Sequence, residues 1–200
     1  MNPLTYALLA QKAYSAAPQI GQQDTAARAI FEETVDGLAF AFPGTNNVAC
    51  FLADLDVNVK PIQGLGALHC GFWEAFLQIR QPLWDQAQGS GLPVIPCGHS
   101  EGAALALLFA GYLCLFGRPP AAVFAFEPPR VSIDDTLAKL FEANDVPILI
   151  TRKGEDIVPI VPRILHDWQH PGTVTAIGKA ILPIPNVQDH AIEGVIEALG

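Results

Sequence analysis

Residues 93–111 read PVIPCGHSEGAALALLFAG, and the fold turns on how this stretch is divided. Val94 to Cys97 make a short apolar run of strand length, and residues 101–117 an almost uncharged, Ala- and Leu-rich run of helix length that stops at Gly117 ahead of Pro119-Pro120. Between them, Gly98-His99-Ser100-Glu101-Gly102 fits the pattern G-x-S-x-G. A strand that turns abruptly into a helix holds its corner residue in a strained conformation, with the side chain projecting past the sheet edge. Glycines two residues to either side avoid clashes across that corner. The helix N-terminus adds free N–H groups and the positive end of a dipole. The five residues alone also suit an ordinary strand–turn–helix junction, but the strand before and the long helix after favour Ser100 as a nucleophile.

Working outward, strands alternate with helices through the rest of the chain. Residues 71–88 read as a helix with Phe72, Phe76, Ile79, Leu83 and Trp84 on one face, 121–127 (AAVFAFE) as a strand, 134–143 as a helix and 146–152 (VPILITR) as a strand. The loop KGEDIVPIVP follows, then a further strand, TVTAI, and a C-terminal loop and helix in NVQDHAIEGVIEAL. On the N-terminal side, residues 3–15 look helical, and ARAIFEETVDGLAFAFPG reads as a hairpin turning at Asp36-Gly37 in a tight primed turn. NVACFLADL reads as one or two helical turns, followed by a linker rich in Pro and Gly. This order predicts an α/β fold: a mostly parallel central sheet with helices on both faces, plus antiparallel strands from the early hairpin. Two hundred residues suit one domain, 1–200, with a single sizeable core.

Composition narrows the function classes. Half the residues are hydrophobic and 16% are charged, which is globular rather than disordered. The net charge of -9, with the eleven basic residues scattered, argues against nucleic acid, because phosphate binding needs clustered Lys and Arg. The longest uncharged apolar run, residues 102–117, falls short of the roughly 20 residues of a membrane span, so no transmembrane segment is expected. The stretch MNPLTYALLAQKAYSAAP has no basic n-region, so a cytoplasmic location is the default expectation and a secreted mature form the alternative. Cys50, Cys70, Cys97 and Cys114 form no C-x-x-C pair, so no zinc or redox site is expected. Cys97 and Cys114 read as core residues, and free thiols are the default, although Cys50 and Cys70 could pair.

A serine hydroxyl needs a base within hydrogen-bond reach and a carboxylate to orient that base. In sheets of this type the chain order is Ser, then acid, then His, which demotes His69 and His99. His69 packs at a helix start on this reading, and His99 is fixed inside the corner. Of the later histidines, His190 stands after a loop at a helix start, where its side chain can reach over the strand ends. His166 and His170 read as wall or surface residues. Asp156 lies just beyond VPILITR, at the carboxyl end of a parallel strand, where ligand-facing groups collect. Glu155 is its rival. Asp134 and Asp135 read as helix-start charges, Asp145 sits at the wrong strand end, and Asp189 reads as a helix-start residue. Charge developing on an acyl oxygen needs two donors. The backbone N–H of Glu101 supplies one, and the loop FPGTNN offers Thr45 as the other.

These pieces together resemble the class 3, fungal-type lipase family of α/β-hydrolases. The family's G-H-S-L-G-G-A-L-A compares with GHSEGAALA, and its R-G-T or R-G-S followed by D-L with PGTNNVACFLADL. A histidine then G-F opening a helix compares with LHCGFWEAF, P-R-V after a strand with FAFEPPRV, D-x-V-P with GEDIVPIVP, and a late D-H with QDHAIEGVI. The resemblance runs in order from about residue 5 to residue 195. It implies Ser100, Asp156 and His190 as the triad of a carboxylic ester hydrolase, with Thr45 and Glu101 as oxyanion donors. It further implies Asp54 as a support of the Thr45 hydroxyl, residues 47–55 as a lid able to touch a lipid interface, and neither cofactor nor metal. Three residues depart from the family pattern. Pro43 replaces an Arg, Ala103 a Gly, and Glu101 an apolar residue; the Glu101 carboxylate is expected to point away from the oxyanion site or to be paired. Acylglycerols and other acyl esters are the expected substrates. A soluble-ester esterase, an acyltransferase and a non-catalytic binding protein on the same fold are the alternatives.

Overall fold

The computed structural model describes every residue except Asn46, Asp54 and Asp56, and Phe51 by its backbone alone. Helix α1 (Pro3–Ser15) is followed by strands β1 (Ile20–Gly21), β2 (Arg28–Thr34) and β3 (Gly37–Phe42), then the short α2 (Val48–Ala53). Next come β4 (Val59–Ile62), β5 (Gly66–His69), α3 (Cys70–Ser90), β6 (Val94–His99) and α4 (Glu101–Leu115). The chain continues through β7 (Val123–Phe126), α5 (Thr136–Ala143), β8 (Ile148–Lys153), β9 (Val174–Ile177) and α6 (Ile192–Leu199). Single 3-10 turns occupy Val158–Ile160 and Gln188–His190.

Among the described residues, one sheet runs β1-β2-β3-β6-β7-β8-β9. β1, β2 and β3 pair antiparallel, and every pairing from β3 onward is parallel. Helices cover both faces, as the alternation predicts. One face carries α3, α4 and α5, where Phe109 of α4 meets Phe40 of β3 edge-on at 5.2 Å between ring centroids. The other carries α1 and α6, where Tyr6 stacks on Phe124 at 4.2 Å and donates its hydroxyl proton to Asp36 at 2.8 Å. α4 is buried on every side from Gly102 to Gly111, which explains why so long a segment carries no charge after Glu101. Each Leu or Phe removed from water here contributes about 1.5–3 kcal/mol.

Two local expectations are corrected. The hairpin turns at Val35-Asp36, with Thr34 opposite Gly37, one residue earlier than the Asp-Gly signal suggests. Neither turn residue has positive φ; Gly37 takes that role at +141°, and a Cβ there would also lie 2.3 Å from the carbonyl oxygen of Pro93. The presumed linker holds a separate antiparallel pair, β4 with β5. A two-stranded ribbon has only edges, so Pro61 is tolerated there. The four cysteines are free thiols, with Cys97 and Cys114 buried in the core. Among the described residues no helix is long and apolar enough to cross a membrane.

Candidate active site

β6, β7 and β8 are neighbours in the sheet and run parallel, so their carboxyl ends open on one edge. β6 ends into Ser100, which takes φ +58° and ψ -129° before α4 begins. A non-glycine residue in that region stores of order 1–3 kcal/mol of strain. The corner is possible because the two glycines of the motif are pressed against backbone. A Cβ on Gly98 would lie 2.4 Å from the carbonyl oxygen of Gly102, and one on Gly102 would lie 2.3 Å from that of Phe42. The amide of Ser100 donates to Phe126 of β7 at 2.9 Å, which fixes the corner to the sheet.

The expected partners converge. His190 Nδ1 lies 2.7 Å from Asp156 Oδ2, and both residues are buried. The carboxylate accepts the Nδ1 proton, so Nε2 is left as the basic nitrogen. Asp156 Oδ1 accepts from the Val158 amide at 3.0 Å, which holds the carboxylate in place. The rival Glu155 instead pairs with Arg152 at 2.7 Å toward solvent. The His190 ring lies over that of His99, the neighbour of Ser100 in the chain, at 4.6 Å between centroids. Among the described residues, Ser100 Oγ and His190 Nε2 are both buried without a hydrogen-bond partner. A hydroxyl and a bare imidazole nitrogen in this state are complementary, and such bonds are commonly loose before substrate arrives.

The Thr45 loop abuts the serine: a Cβ on Gly44 would lie 2.7 Å from Ser100 Cβ. Thr45 Oγ1 accepts from the Asn47 amide at 3.3 Å, so its own proton remains free to donate. The amide of Glu101, first in α4, has no intrahelical acceptor by position. The Glu101 side chain lines a cleft of about 310 Å³ together with Asp24, Arg28, Thr45 and Asn47, and burial raises its pKa above the ordinary carboxylate value. Asp54, expected to steady Thr45, lies outside the described residues. His69 caps α3 by accepting from the Phe72 amide. His170 bonds to the Pro159 carbonyl at 2.7 Å, and burial pushes its pKa down to about 4.

Three residues of the site were not anticipated. Tyr14 of α1 packs its hydroxyl against Gly44, where a Cβ would lie 2.5 Å from it, and gives its proton to His99 Nδ1 at 2.6 Å, so one phenol joins the N-terminal helix to the Thr45 loop and to the corner. Burial, and then the adjacent His190, hold the His99 pKa well below its ordinary value, so His99 is neutral. Glu127, at the end of β7, is fully buried with φ +53°. Its Oε2 lies 3.2 Å from His99 Nε2 and 3.6 Å from His190 Nδ1, and its Oε1 accepts from the Lys153 amide at 3.1 Å. The signal that could have found it is the one that found Asp156: an acid at the carboxyl end of an apolar strand. His99, Glu127 and His190 are spaced closely enough to share a metal ion, but their facing atoms are already hydrogen-bonded to one another, to Asp156 and to Tyr14.

Asp189 is the third, and it is no simple helix-start charge. It is buried beside His190 and accepts from Lys153 Nζ at 2.8 Å, from Asn186 Nδ2, and from the amides of Glu155 and Ile181. Desolvation would raise its pKa, but these bonds outweigh it and hold the carboxyl below its usual range. Stability from a depressed acid is present above the unfolded value of about 4 and fades as pH falls through the folded value. Asp189→Asn should therefore cost about 3 kcal/mol at pH 7 by leaving Lys153 unpaired, with the gap to wild type closing below about pH 4. Urea melts across that range measure it; a gap independent of pH would exclude the ion pair as its source.

With this geometry in view, the likeness to known proteins is direct. The profile of the family "Lipase (class 3)" matches residues 39–166. A lipase of Rhizopus niveus is 34% identical over 145 residues, covering 66% of this chain and 36% of its own. A secreted mono- and diacylglycerol lipase A of Penicillium cyclopium is 30% identical over 154 residues, covering 74% of this chain and 50% of its own. The chain thus spans between about a third and a half of the length of these curated relatives. The crystal structure of the lipase from Rhizopus microsporus var. chinensis superimposes with a TM-score of 0.77 at 20% identity, covering 94% of this chain and 84% of that one, and so shares the fold. The strained serine corner, the ordered motifs around it and the profile that matches residues 39–166 place this chain in the class 3 lipase family of α/β-hydrolases.

Proposed function

We propose that residues 1–200 form a single domain that hydrolyses carboxylic esters through Ser100, His190 and Asp156. The observation that carries this reading is the buried His190–Asp156 pair at 2.7 Å beside a serine strained onto the strand–helix corner. Ser100 Oγ attacks the acyl carbonyl while His190 Nε2 takes its proton. The amides of Glu101 and Thr45 receive the developing oxyanion, and the Thr45 hydroxyl adds a third donor. The tetrahedral adduct collapses, His190 returns the proton to the leaving alcohol, and water repeats the sequence on the acyl-enzyme. Asp156 keeps Nδ1 protonated and stabilises the imidazolium. For the single domain, support comes from α1, which packs on both β3 and α6; a two-step thermal melt would argue against it.

Acyl esters of lipid type are the substrates we propose, met at an interface through residues 47–55. Ser100 is 0% and His190 2% exposed, so an ester reaches them only after a covering element moves. α2 suits that role, since its Val48 lines a cleft of about 290 Å³ with Tyr14, Thr45, His99 and His190. Treatment with alkyl phosphonates of increasing chain length tests both parts. The expected result is one covalent adduct on Ser100, formed faster with longer chains and faster again in the presence of detergent micelles. Absence of an adduct on Ser100 would favour a binding protein over an enzyme. An adduct whose rate ignores micelles would point to a soluble-ester esterase.

A further inference from the structure

Three adjacent strands end at the site, and the mechanism above uses only the outer two. The middle one, β7, delivers Glu127, whose amide donates to the Thr151 carbonyl of β8 at 3.1 Å. A fully buried acid at φ +53° is costly twice over, in desolvation and in backbone strain. The groups facing it come from four elements: His99 on β6, with Tyr14 of α1 behind it; Lys153 on β8; Asp156 in the loop after β8; and His190 before α6. The one cation among them, Lys153, turns its ammonium group to Asp189 and offers Glu127 only its amide. Two ionised carboxylates here would sit together in a dry pocket with no cation bonded to either, and one proton must be retained between them.

Resting on the Ser100–His190–Asp156 reading, we propose that Glu127 is a positioning acid: it shares one proton with Asp156 and replaces Asp156 as the partner of His190 Nδ1 when that carboxylate is lost. Its pKa agrees. Burial first, and then the nearby Asp156 carboxylate, push it up to about 10. The pair therefore carries one negative charge at neutral pH, enough to balance the imidazolium formed when His190 takes the serine proton. Glu127 Oε2 already stands 3.6 Å from Nδ1, within about 1 Å of hydrogen-bond distance, so a small side-chain shift completes the exchange.

The test compares kcat/KM against pH on a soluble short-acyl ester for wild type, Asp156→Ala, Asp156→Ala/Glu127→Gln and Ser100→Ala. Asp156→Ala is expected to lose about 10²-fold at neutral pH, against the ~10⁴-fold typical of losing a triad acid, and to recover as rising pH takes the Glu127 proton. The double variant should fall about 10²-fold further and show no such recovery. Glutamine copies the shape of a protonated glutamic acid, so the second substitution leaves packing intact. Should Asp156→Ala fail to fold, Asp156→Asn enters the same comparison. The proposal is overturned when the single and double variants share one rate and one pH profile. Hydrolysis surviving in Ser100→Ala would instead overturn the triad reading and leave the Glu127 proton-sharing to be judged by the other pair.

Discussion

Ser100→Ala should lower kcat/KM on acyl esters by about 10⁵-fold while raising the melting temperature by about 3 °C. The first half follows from chemistry. With Oγ gone no acyl-enzyme forms, and only the oxyanion donors and the positioning of substrate remain. The second half follows from burial. Ser100 is fully buried and its hydroxyl has no partner among the described residues, so deleting it removes an unsatisfied polar group worth about 1 kcal/mol. A residue that weakens the fold where it stands and is indispensable to turnover is the expected signature of a site placed for function. Parallel assays and calorimetry decide it. A variant that keeps more than a hundredth of the activity would remove Ser100 from the mechanism, and a fall in melting temperature would mean that Oγ has a partner after all.

The second large effect is on folding. Gly98→Ala should destabilise the protein by about 3 kcal/mol or more, near 10 °C in Tm for a chain of this size. The added Cβ would meet Gly102 O at 2.4 Å, Gly102 C at 2.5 Å and Ala103 N at 2.8 Å. All three are backbone atoms of the first turn of α4, so no side-chain rotation relieves the clash, and the helix must move off the sheet. Because Glu101 N–H belongs to that turn, the surviving folded fraction should also lose activity beyond its share. Gly89→Ala is the control, since nothing lies within 4 Å of its Cβ position and alanine suits the last turn of α3. Equal melting temperatures for the two variants would contradict the packing described here.

What could be read without coordinates was local or ordered along the chain. The corner at Ser100 was legible because strand, glycine spacing and helix are neighbours in sequence. Asp156 was singled out by the rule that parallel strands present their carboxyl ends to a site, and His190 by chain order and its place after a loop at a helix start; the structure brings the two within 2.7 Å. What escaped depends on partners far along the chain. Pro61, Gly64 and Gly66 look like linker residues until the β4–β5 pairing is seen, and the space that would take a side chain at Gly37 is filled by Pro93, more than fifty positions away. Glu127 carries the same strand-end signal as Asp156, but nothing beside it in the sequence announces His99, Asp156 and His190. Asp189 likewise hides its pairing with Lys153, 36 residues earlier.

The parallel order of β6, β7 and β8 has a geometric consequence for the reaction. Neighbouring strands stand about 4.8 Å apart, so the ends of β6 and β8 are separated by roughly 10 Å. A serine on one and an aspartate on the other cannot touch across that gap, and a single imidazole has the width to bridge it. The sheet is thus a ruler whose graduations are backbone hydrogen bonds, indifferent to which side chains fill the core. The ring that would span it comes from the far end of the chain, on a turn tied to the end of β8 through Asp189 and Lys153. Substitutions that alter strand composition but preserve strand order leave the gauge unchanged, whereas any shift of the Gln188–His190 turn misplaces the bridge. Apart from glycines pressed against backbone, such as Gly37 and Gly98, tolerance to change should accordingly be high along the strands and low at that turn.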